Sequence, residues 1–428
     1  MFEKVCYIIN FNAKDYVLKC VDSVMKAING MENIEVCVVD NASSDGSVEA
    51  LKEIYGSNVR CVVNQKNLGG AGGFNTALND AIKNNVKYAV LLDNDIVVDE
   101  KCIKEMIQYL KDNSNVGAVG AKIMIMDKPN YIQEFGGHLD MENYYFKTDY
   151  WYEEDNDEIK DIESEWLSSC ALAVRMDAAK KTNLFPEENF LFWDDIQFTW
   201  EIKKSGYRLV SLADAKVWHK GKKKEVTNTA TAYYAMRNRT KFFSICVPDE
   251  DVELFCKVLL EKYFDIFFGS SLKGLYKTNS SRMMALNDFI NKRYGKIPND
   301  ALWEIDSAQD KLACFCEHKN KAYIKKVNSN SEVNKYVENG LKERFNQLGV
   351  ELINDESSAE LVFVPCEHIS QINQNILPEI WIDKYLNCIT TEEDYSQVIS
   401  IPLLKRMFVE QHYDWLMKGI FEERNRNK

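Results

Sequence analysis

Over residues 3–125, short apolar runs alternate with stretches whose apolar residues recur at helical spacing. "VCYIINF" and "IEVCVVD" are apolar runs of strand length, the pattern of strands buried on both faces. Between them, "YVLKCVDSVMKAI" sets Val17, Val21, Val24 and Ile28 on one face of a helix. "SSDGSVEALKEIYG" opens on cap-type Ser and Asp and ends in Gly, which predicts a second helix. "VRCVV" and "YAVLLD" read as strands, residues 74–85 and "DEKCIKEMIQYLKD" as helices, and "VGAVGAKIMI" as a closing strand. Such alternation predicts a parallel sheet covered by helices.

Beyond residue 125 the rhythm changes. "YIQEFGGHLDMENYYF" reads as a hairpin around glycines, and "EWLSSCALAVRMD" as a strand. "DDIQFTWEIKKSG" reads as a helix with Asp at its start and Gly206 past its end. "YRLVSLADAKVWH" reads as short strands ending at His219. Residues 240–296 are helical and aromatic, and the apolar stripe there is broken by Lys257, Glu261, Lys262 and Asp265. A packed helix explains that stripe, and a membrane-surface helix is the sharper alternative. "KAYIKKV", "SEVNKYVENGLKERFNQLG", "VELI" and "AELVFVPC" then read as a small α/β unit. The expected division is 1–240, 241–299 and 300–428.

Composition narrows the function classes. The net charge is −13, which argues against a nucleic-acid partner, since such proteins show a basic face. The twelve cysteines are scattered, mostly singly in apolar runs, as expected of buried thiols in a reducing compartment. The N-terminus shows no basic n-region or small-residue cleavage site, and no apolar window reaches about 18 residues. A cytoplasmic location follows as an expectation, with peripheral contact at the inner face of a membrane left open. "ACFCEH" puts Cys314, Cys316 and His318 on alternate positions. A strand with small residues on one face explains this better than half a zinc site, because no second ligand pair is suitably spaced.

The chemistry centres on "NLGGAGGFNTALNDA" and "LLDND". A dinucleotide fingerprint fails, because the sixth position after Gly70 is Asn75 and the third after Gly69 is Ala71. A Walker loop fails for want of Gly-Lys before Ser or Thr. The glycines therefore permit close backbone approach in neither format. Asp93 and Asp95 end a buried strand, where ligands of open α/β sheets bind, and two carboxylates there suit a hard divalent cation. An isolated Asp-x-Asp is more often a turn or cap. Here Asp40 ends an earlier strand, Asp194 and Asp195 open a helix beside Trp193, and His219 follows a later strand.

Together these segments resemble the family-2 glycosyltransferases of GT-A fold. The resemblance spans residues 3–245 and rests on "INFNAKDYVLKCVDSV", "VVDNASSDGS", "NLGGAGGFNTAL", "LLDNDI" and "FPEENFLFWDDIQFTWEIKKSGYRLVSLADAKVWH". The doubled glycines and the Trp before the Asp pair look most like the bacterial galactofuranosyltransferases, with rhamnosyltransferases as close neighbours. The fold it implies is α/β: a Rossmann-like mixed sheet flanked by helices, then a helical region and a small C-terminal α/β domain.

The resemblance implies site roles residue by residue. Phe11 and Asn12 fall where the first strand meets the nucleotide, and Asp40 matches the aspartate that reads the pyrimidine. Asn67, Gly69 and Gly70 match the loop near the ribose and donor sugar. Asp93, Asn94 and Asp95 match the metal and donor motif, with His219 completing a site for Mn²⁺ or Mg²⁺. Asp195 matches the general base, while Asp194 and Trp193 face the acceptor sugar. Arg237 and Asn238, in "YYAMRNR", are candidates for contacting donor or acceptor. Trp166 is a candidate for the acceptor cleft, although an aromatic at a strand start is more often core. His138 reads as structural or acceptor-side. Asn94 stands where the galactofuranosyl branch tends to have Asp, and residues beyond 300 match no family pattern.

The implied reaction is inverting transfer from a UDP- or dTDP-linked sugar to a hydroxyl of a cell-surface glycan or its lipid-linked precursor. UDP-galactofuranose is the favoured donor and dTDP-rhamnose the nearest rival. A non-catalytic glycan-binding scaffold is the reading from another class. Such a protein would usually lack one of Asp93, Asp95 or Asp195. The C-terminal region fits acceptor positioning, homo-oligomer contact or docking to another assembly enzyme.

Overall fold

The structure, a computed structural model, describes residues 2–220, 229–298, 310–325, 332–366, 369, 372, 379–383, 386–389 and 392–427. The chain divides into two compact units. One comprises 1–224, 234–243 and 293–299, and the other 225–233, 244–292 and 300–428. The helices of 244–292 thus group with the C-terminal α/β part. The expected boundary at 299/300 lies outside the described residues.

In the first unit the strands are β1 (Lys4–Asn10), β2 (Ile34–Asp40), β3 (Val59–Val63), β4 (Tyr88–Asp93), β5 (Ile96–Val98), β6 (Val116–Ile125), β7 (Lys128–Asp140), β8 (Tyr145–Asp149), β9 (Ile162–Ser164), β10 (Ala171–Arg175) and β11 (Arg208–His219). Its sheet runs β3-β2-β1-β4-β10-β6-β11-β5, with β7, β8 and β9 off that path. The first four are parallel, as the alternating pattern predicts. β10 then enters antiparallel between β4 and β6, which makes the sheet mixed.

Successive side chains alternate between the two faces of this sheet. Cys6, Ile8, Val90 and Leu92 pack on one side, beneath α1 (Lys14–Ala27) and α4 (Cys102–Asp112). Tyr7, Ile9, Ala89 and Leu91 pack on the other, beneath α3 (Gly69–Lys83) and α6 (Asp194–Lys204). The short helices α2 (Ser47–Tyr55) and α5 (Met176–Ala179) complete the layers. Burial on both faces is why these strands read as continuous apolar runs.

Two sequence expectations change here. The helix expected over 74–85 begins at Gly69, so the glycines form its first turns rather than a loop. The short strands expected up to His219 are one strand, β11, whose register with β6 slips between Leu212 and Lys216. Past the slip Lys216 pairs with Lys122, and Asp155 neutralises both at 2.6 and 2.5 Å.

α7 (Thr229–Cys246) contributes residues 234–243 to the first unit. The second unit contains α8 (Val252–Leu272), α9 (Tyr276–Ile290), α10 (Lys311–Cys316), α11 (Glu332–Leu348) and α12 (Glu392–Arg426). Its parallel-rich sheet runs β13 (Glu351–Leu352), β12 (Lys321–Ile324), β14 (Leu361–Cys366), β15 (Ile380–Asp383) and β16 (Cys388–Ile389). Phe255, Leu259, Leu260 and Tyr263 of α8 are fully buried, and Phe264 and Phe267 meet Phe408 of α12. Packing within the unit therefore accounts for the apolar stripe that suggested a membrane-surface helix. No helix among the described residues is long and apolar enough to cross a membrane. Cys314 and Cys316 lie on the helix α10, not on a strand.

Candidate active site

Three strand ends meet at the carboxyl edge of the parallel strands. Asn10 pairs with Asp40, and Ile9 with Asp93. Buried Asn10 bridges them, donating from Nδ2 to Asp40 Oδ1 at 2.9 Å and accepting from Asn94 Nδ2 at 2.8 Å. Asp40 is fully buried, and its Oδ2 accepts from the Ser43 N–H at 2.8 Å. Each Asp40 oxygen holds the strand edge through one hydrogen bond and keeps a second acceptor position. The exposed groups at this edge are Phe11 and Asn12. Asn12 is left-handed, with φ 47°, and its Oδ1 accepts from the Ser44 N–H.

The metal donors converge from the β4–β5 turn and the end of β11. Asp93 ends β4, and Asp95 follows in the turn to β5. β5 pairs antiparallel with the end of β11, His219 opposite Ile96, which puts His219 beside Asp95. Asp95 Oδ1 and His219 Nε2 are 3.3 Å apart. His219 Nδ1 meets Gln133 Oε1 at 3.1 Å, which leaves Nε2 turned to the carboxylates. Donor atoms of Asp93, His219 and Cys170 all lie within 4.8 Å of one another. Two carboxylates and an imidazole meeting this way suit a divalent cation.

Electrostatics agree with that grouping. Burial opposes charge on Asp95, yet the hydrogen bond and charge of His219 hold its carboxyl below the usual range. Burial likewise opposes charge on His219, yet Asp95, Asp93 and Glu134 raise its imidazole above the ordinary value. Burial, then the charges of Asp93 and Glu134, keep the Cys170 thiol protonated in the metal-free protein.

Asp194 and Asp195 open α6, as the sequence predicts. Asp195 accepts from the Ile196 N–H at 2.8 Å and the Ser169 N–H at 3.3 Å. Burial, then the charge of Asp195, raises Asp194 well above the carboxylate range. Burial also raises Asp195, against those two N–H donors. Two neighbouring carboxyls do not readily ionise together, which adds to burial in opposing charge on Asp194.

The loop before the pair is strained. Phe190, Phe192 and Trp193 all adopt left-handed φ near 65°, at a cost of about 1–3 kcal/mol each. Residues 237–241 hold it in place. Asn238 Nδ2 donates to the carbonyls of Asn189, Leu191 and Phe192. Arg237 donates to those of Glu188, Asn189 and Gly295. Lys241 pairs with Glu188 at 2.8 Å. Arg237 is buried, and its guanidinium holds the loop through these carbonyls.

Both tryptophans assigned to the acceptor are also buried. Trp193 packs against Tyr145, Phe146, Phe242 and Phe243. Trp166 packs on Phe146 and donates to the His138 carbonyl. Both rings belong to an aromatic cluster around Phe146. His138 pairs with Asp149 at 2.8 Å.

The glycines make close approach possible at α3. Gly69 has φ +76°, and a Cβ there would lie 2.1 Å from the Phe190 carbonyl oxygen. A Cβ on Gly70 would lie 3.5 Å from Asp194 Oδ2. Asn67 Oδ1 accepts from the Gly69 N–H, capping the helix start. The glycine stretch thus sits directly against the loop that carries Asp194 and Asp195.

Sequence reading missed Asn10, Gln133, Glu134 and Cys170. Burial, then the charge of Asp195, pushes Glu134 up to about 7, against a hydrogen bond from Ser168. Asn10 had a visible signal, a polar residue closing an apolar strand. The others lie on strands whose partners no local pattern specifies.

Part of this chain matches known proteins. Residues 6–176 match the family described as glycosyl transferase family 2. Galactofuranosyltransferase GlfT2 of Mycolicibacterium smegmatis is 23% identical over 198 residues, which cover 41% of this chain and 30% of that protein. Chondroitin synthase of Pasteurella multocida is 30% identical over 112 residues, 25% of this chain and 11% of that protein. The chain thus spans less than a third of the length of either relative. Among solved structures, S. aureus TarS 1-349 in complex with UDP-GlcNAc aligns with TM-score 0.46 and 16% identity, covering 70% of this chain and 83% of that one. Residues 6–176 of this chain are a glycosyl transferase family 2 domain.

Proposed function

We propose that the chain is a metal-dependent inverting glycosyltransferase. The observation that carries this reading is the meeting of His219 with Asp95 at 3.3 Å and with Asp93 and Cys170 within 4.8 Å, while the neighbouring Ser169 N–H donates to Asp195 at 3.3 Å. A bound divalent cation supplies positive charge to a leaving nucleoside diphosphate. Asp195 takes the proton of the attacking hydroxyl, a role worth about 10²–10⁴-fold in rate. Asp194, protonated, donates to a neighbouring acceptor oxygen. Phe11 offers an exposed ring for the pyrimidine at the strand edge.

The favoured donor is UDP-galactofuranose, and the favoured acceptor is a hydroxyl of a cell-surface glycan or its lipid-linked precursor. The likeness to GlfT2 over 41% of the chain supports this choice. A donor-hydrolysis screen tests it. Turnover of UDP-galactofuranose with Mn²⁺ is expected. Turnover of dTDP-rhamnose alone would reassign the donor, and the absence of any turnover with a full nucleotide-sugar panel would overturn the enzymatic reading.

A further inference from the structure

Cys170 occupies a position that the carboxylate–histidine description of the site leaves unused. It immediately precedes β10, which runs antiparallel to β4 with Ala171 opposite Leu92. The next pair is therefore Cys170 and Asp93, and the Asp93 N–H donates to the Cys170 carbonyl at 3.1 Å. Residues directly opposite on antiparallel strands project to the same face. The Cys170 Sγ accordingly stands with an Asp93 oxygen and a His219 nitrogen, all within 4.8 Å of one another. Ligands of one ion with bonds of about 2.0–2.3 Å lie roughly 3–4 Å apart, so modest side-chain movement closes this set. The thiol is free of any disulfide and buried, at the border between the apolar core and the Asp93–His219 pair.

We propose that Cys170 is a ligand of the cation in this site, together with Asp93 and His219, giving a mixed oxygen, nitrogen and sulfur donor set. The inference rests on the metal-dependent reading above and deepens it. A thiolate ligand favours borderline ions such as Co²⁺ or Zn²⁺ over Mg²⁺ and Mn²⁺, which prefer oxygen. The thiol proton leaves to solvent as the ion binds, because a coordinating thiol is deprotonated outright. Cys170 thus tunes which metal the site accepts.

Cobalt spectroscopy on the full-length protein tests this without an activity assay. The protein is titrated with Co²⁺ in a Cys314→Ser background, since Cys314 is the exposed thiol. The expected spectrum shows weak visible cobalt bands together with an intense near-ultraviolet thiolate-to-cobalt band. Cys170→Ser removes the near-ultraviolet band and keeps the visible ones, and His219→Gln weakens both. Cd²⁺ affinity falls at least about tenfold in Cys170→Ser, while Mg²⁺ affinity stays within about twofold. Visible bands without a thiolate band in the Cys170-containing protein would overturn ligation by Cys170 and leave the metal site standing. Absence of all cobalt bands would overturn the metal site itself. Because the deciding spectrum is that of the Cys170-containing protein, a poorly folded Cys170→Ser variant does not shield the proposal.

Discussion

Asp95 Oδ1 lies 3.3 Å from His219 Nε2, although one residue follows β4 and the other ends β11. The short strand β5 creates this contact by pairing with the last residues of β11. Its chemistry has two opposite pH dependences. In the metal-free protein the raised imidazole stabilises the fold fully below its unfolded pKa of about 6.5, and that contribution is lost as pH rises through the folded value. Metal binding needs the neutral ring, so it strengthens as pH rises.

Mn²⁺ affinity is therefore expected to climb as pH rises above about 6.5, as the His219 ring gives up its proton. His219→Gln lowers the affinity and flattens that rise. Calorimetric titration at several pH values measures both. A wild-type affinity independent of pH over this range would remove His219 from the ligand set.

Asp195→Asn is expected to lower transfer by about 10²–10⁴-fold while donor binding stays within about twofold. The carboxamide oxygen still accepts one of the N–H groups that position Asp195. Paired kinetics and nucleotide binding check the split, and undiminished transfer would exclude Asp195 as the base.

Glu134 carries a second pH signature. Burial and the charge of Asp195 push its carboxyl up to about 7, so the cost to folding builds from the ordinary value of about 4.3 and is complete above about pH 7. Glu134→Gln should raise the melting temperature at pH 8 by a few degrees, on the scale of about 2–4 °C per kcal/mol for a domain this large. The advantage should shrink as pH falls toward the ordinary Glu value of about 4.3. Thermal scans from pH 5 to pH 8 measure it, and an equal difference at every pH would contradict the assignment.

Asn238→Leu deprives the carbonyls of Asn189, Leu191 and Phe192 of their shared donor. A destabilisation of about 2 kcal/mol or more is expected, because buried groups left unpaired cost about 1–3 kcal/mol each. Turnover should fall further than donor affinity, since the loop sets Asp194 and Asp195. Melting curves with steady-state kinetics test both parts.

Gly69→Ala meets two obstacles at once. The position has φ +76°, and the new Cβ would lie 2.1 Å from the Phe190 carbonyl oxygen. Loss of activity with a lowered melting temperature is expected. At Gly30, also left-handed, nothing lies within 4 Å of a new Cβ, so Gly30→Ala should cost only its backbone strain of about 1–2 kcal/mol.

Much of this was legible along the chain. Apolar runs at Val5–Ile9 and Val36–Val39 mark strands, because residues packed on both faces of a sheet have no polar alternation to break the run. Val17, Val21 and Val24 mark α1 because helical spacing sets them on one buried stripe. Asp40, Asp93, Asp194 and Asp195 are visible because acidic residues at element ends are conspicuous against apolar neighbours. Other properties depend on which strands become neighbours. The antiparallel entry of β10 places Cys170 opposite Asp93, and the slip in β11 carries His219 to β5. Burial of Trp193 and commitment of Arg237 to carbonyls follow from how residues 234–243 pack on the strained loop. The sequence by itself determined the elements and most of the acids at their ends, since periodicity and end chemistry are local. The tertiary structure decided which of those residues share a site, since strand order and register arise from long-range pairing that no local pattern encodes.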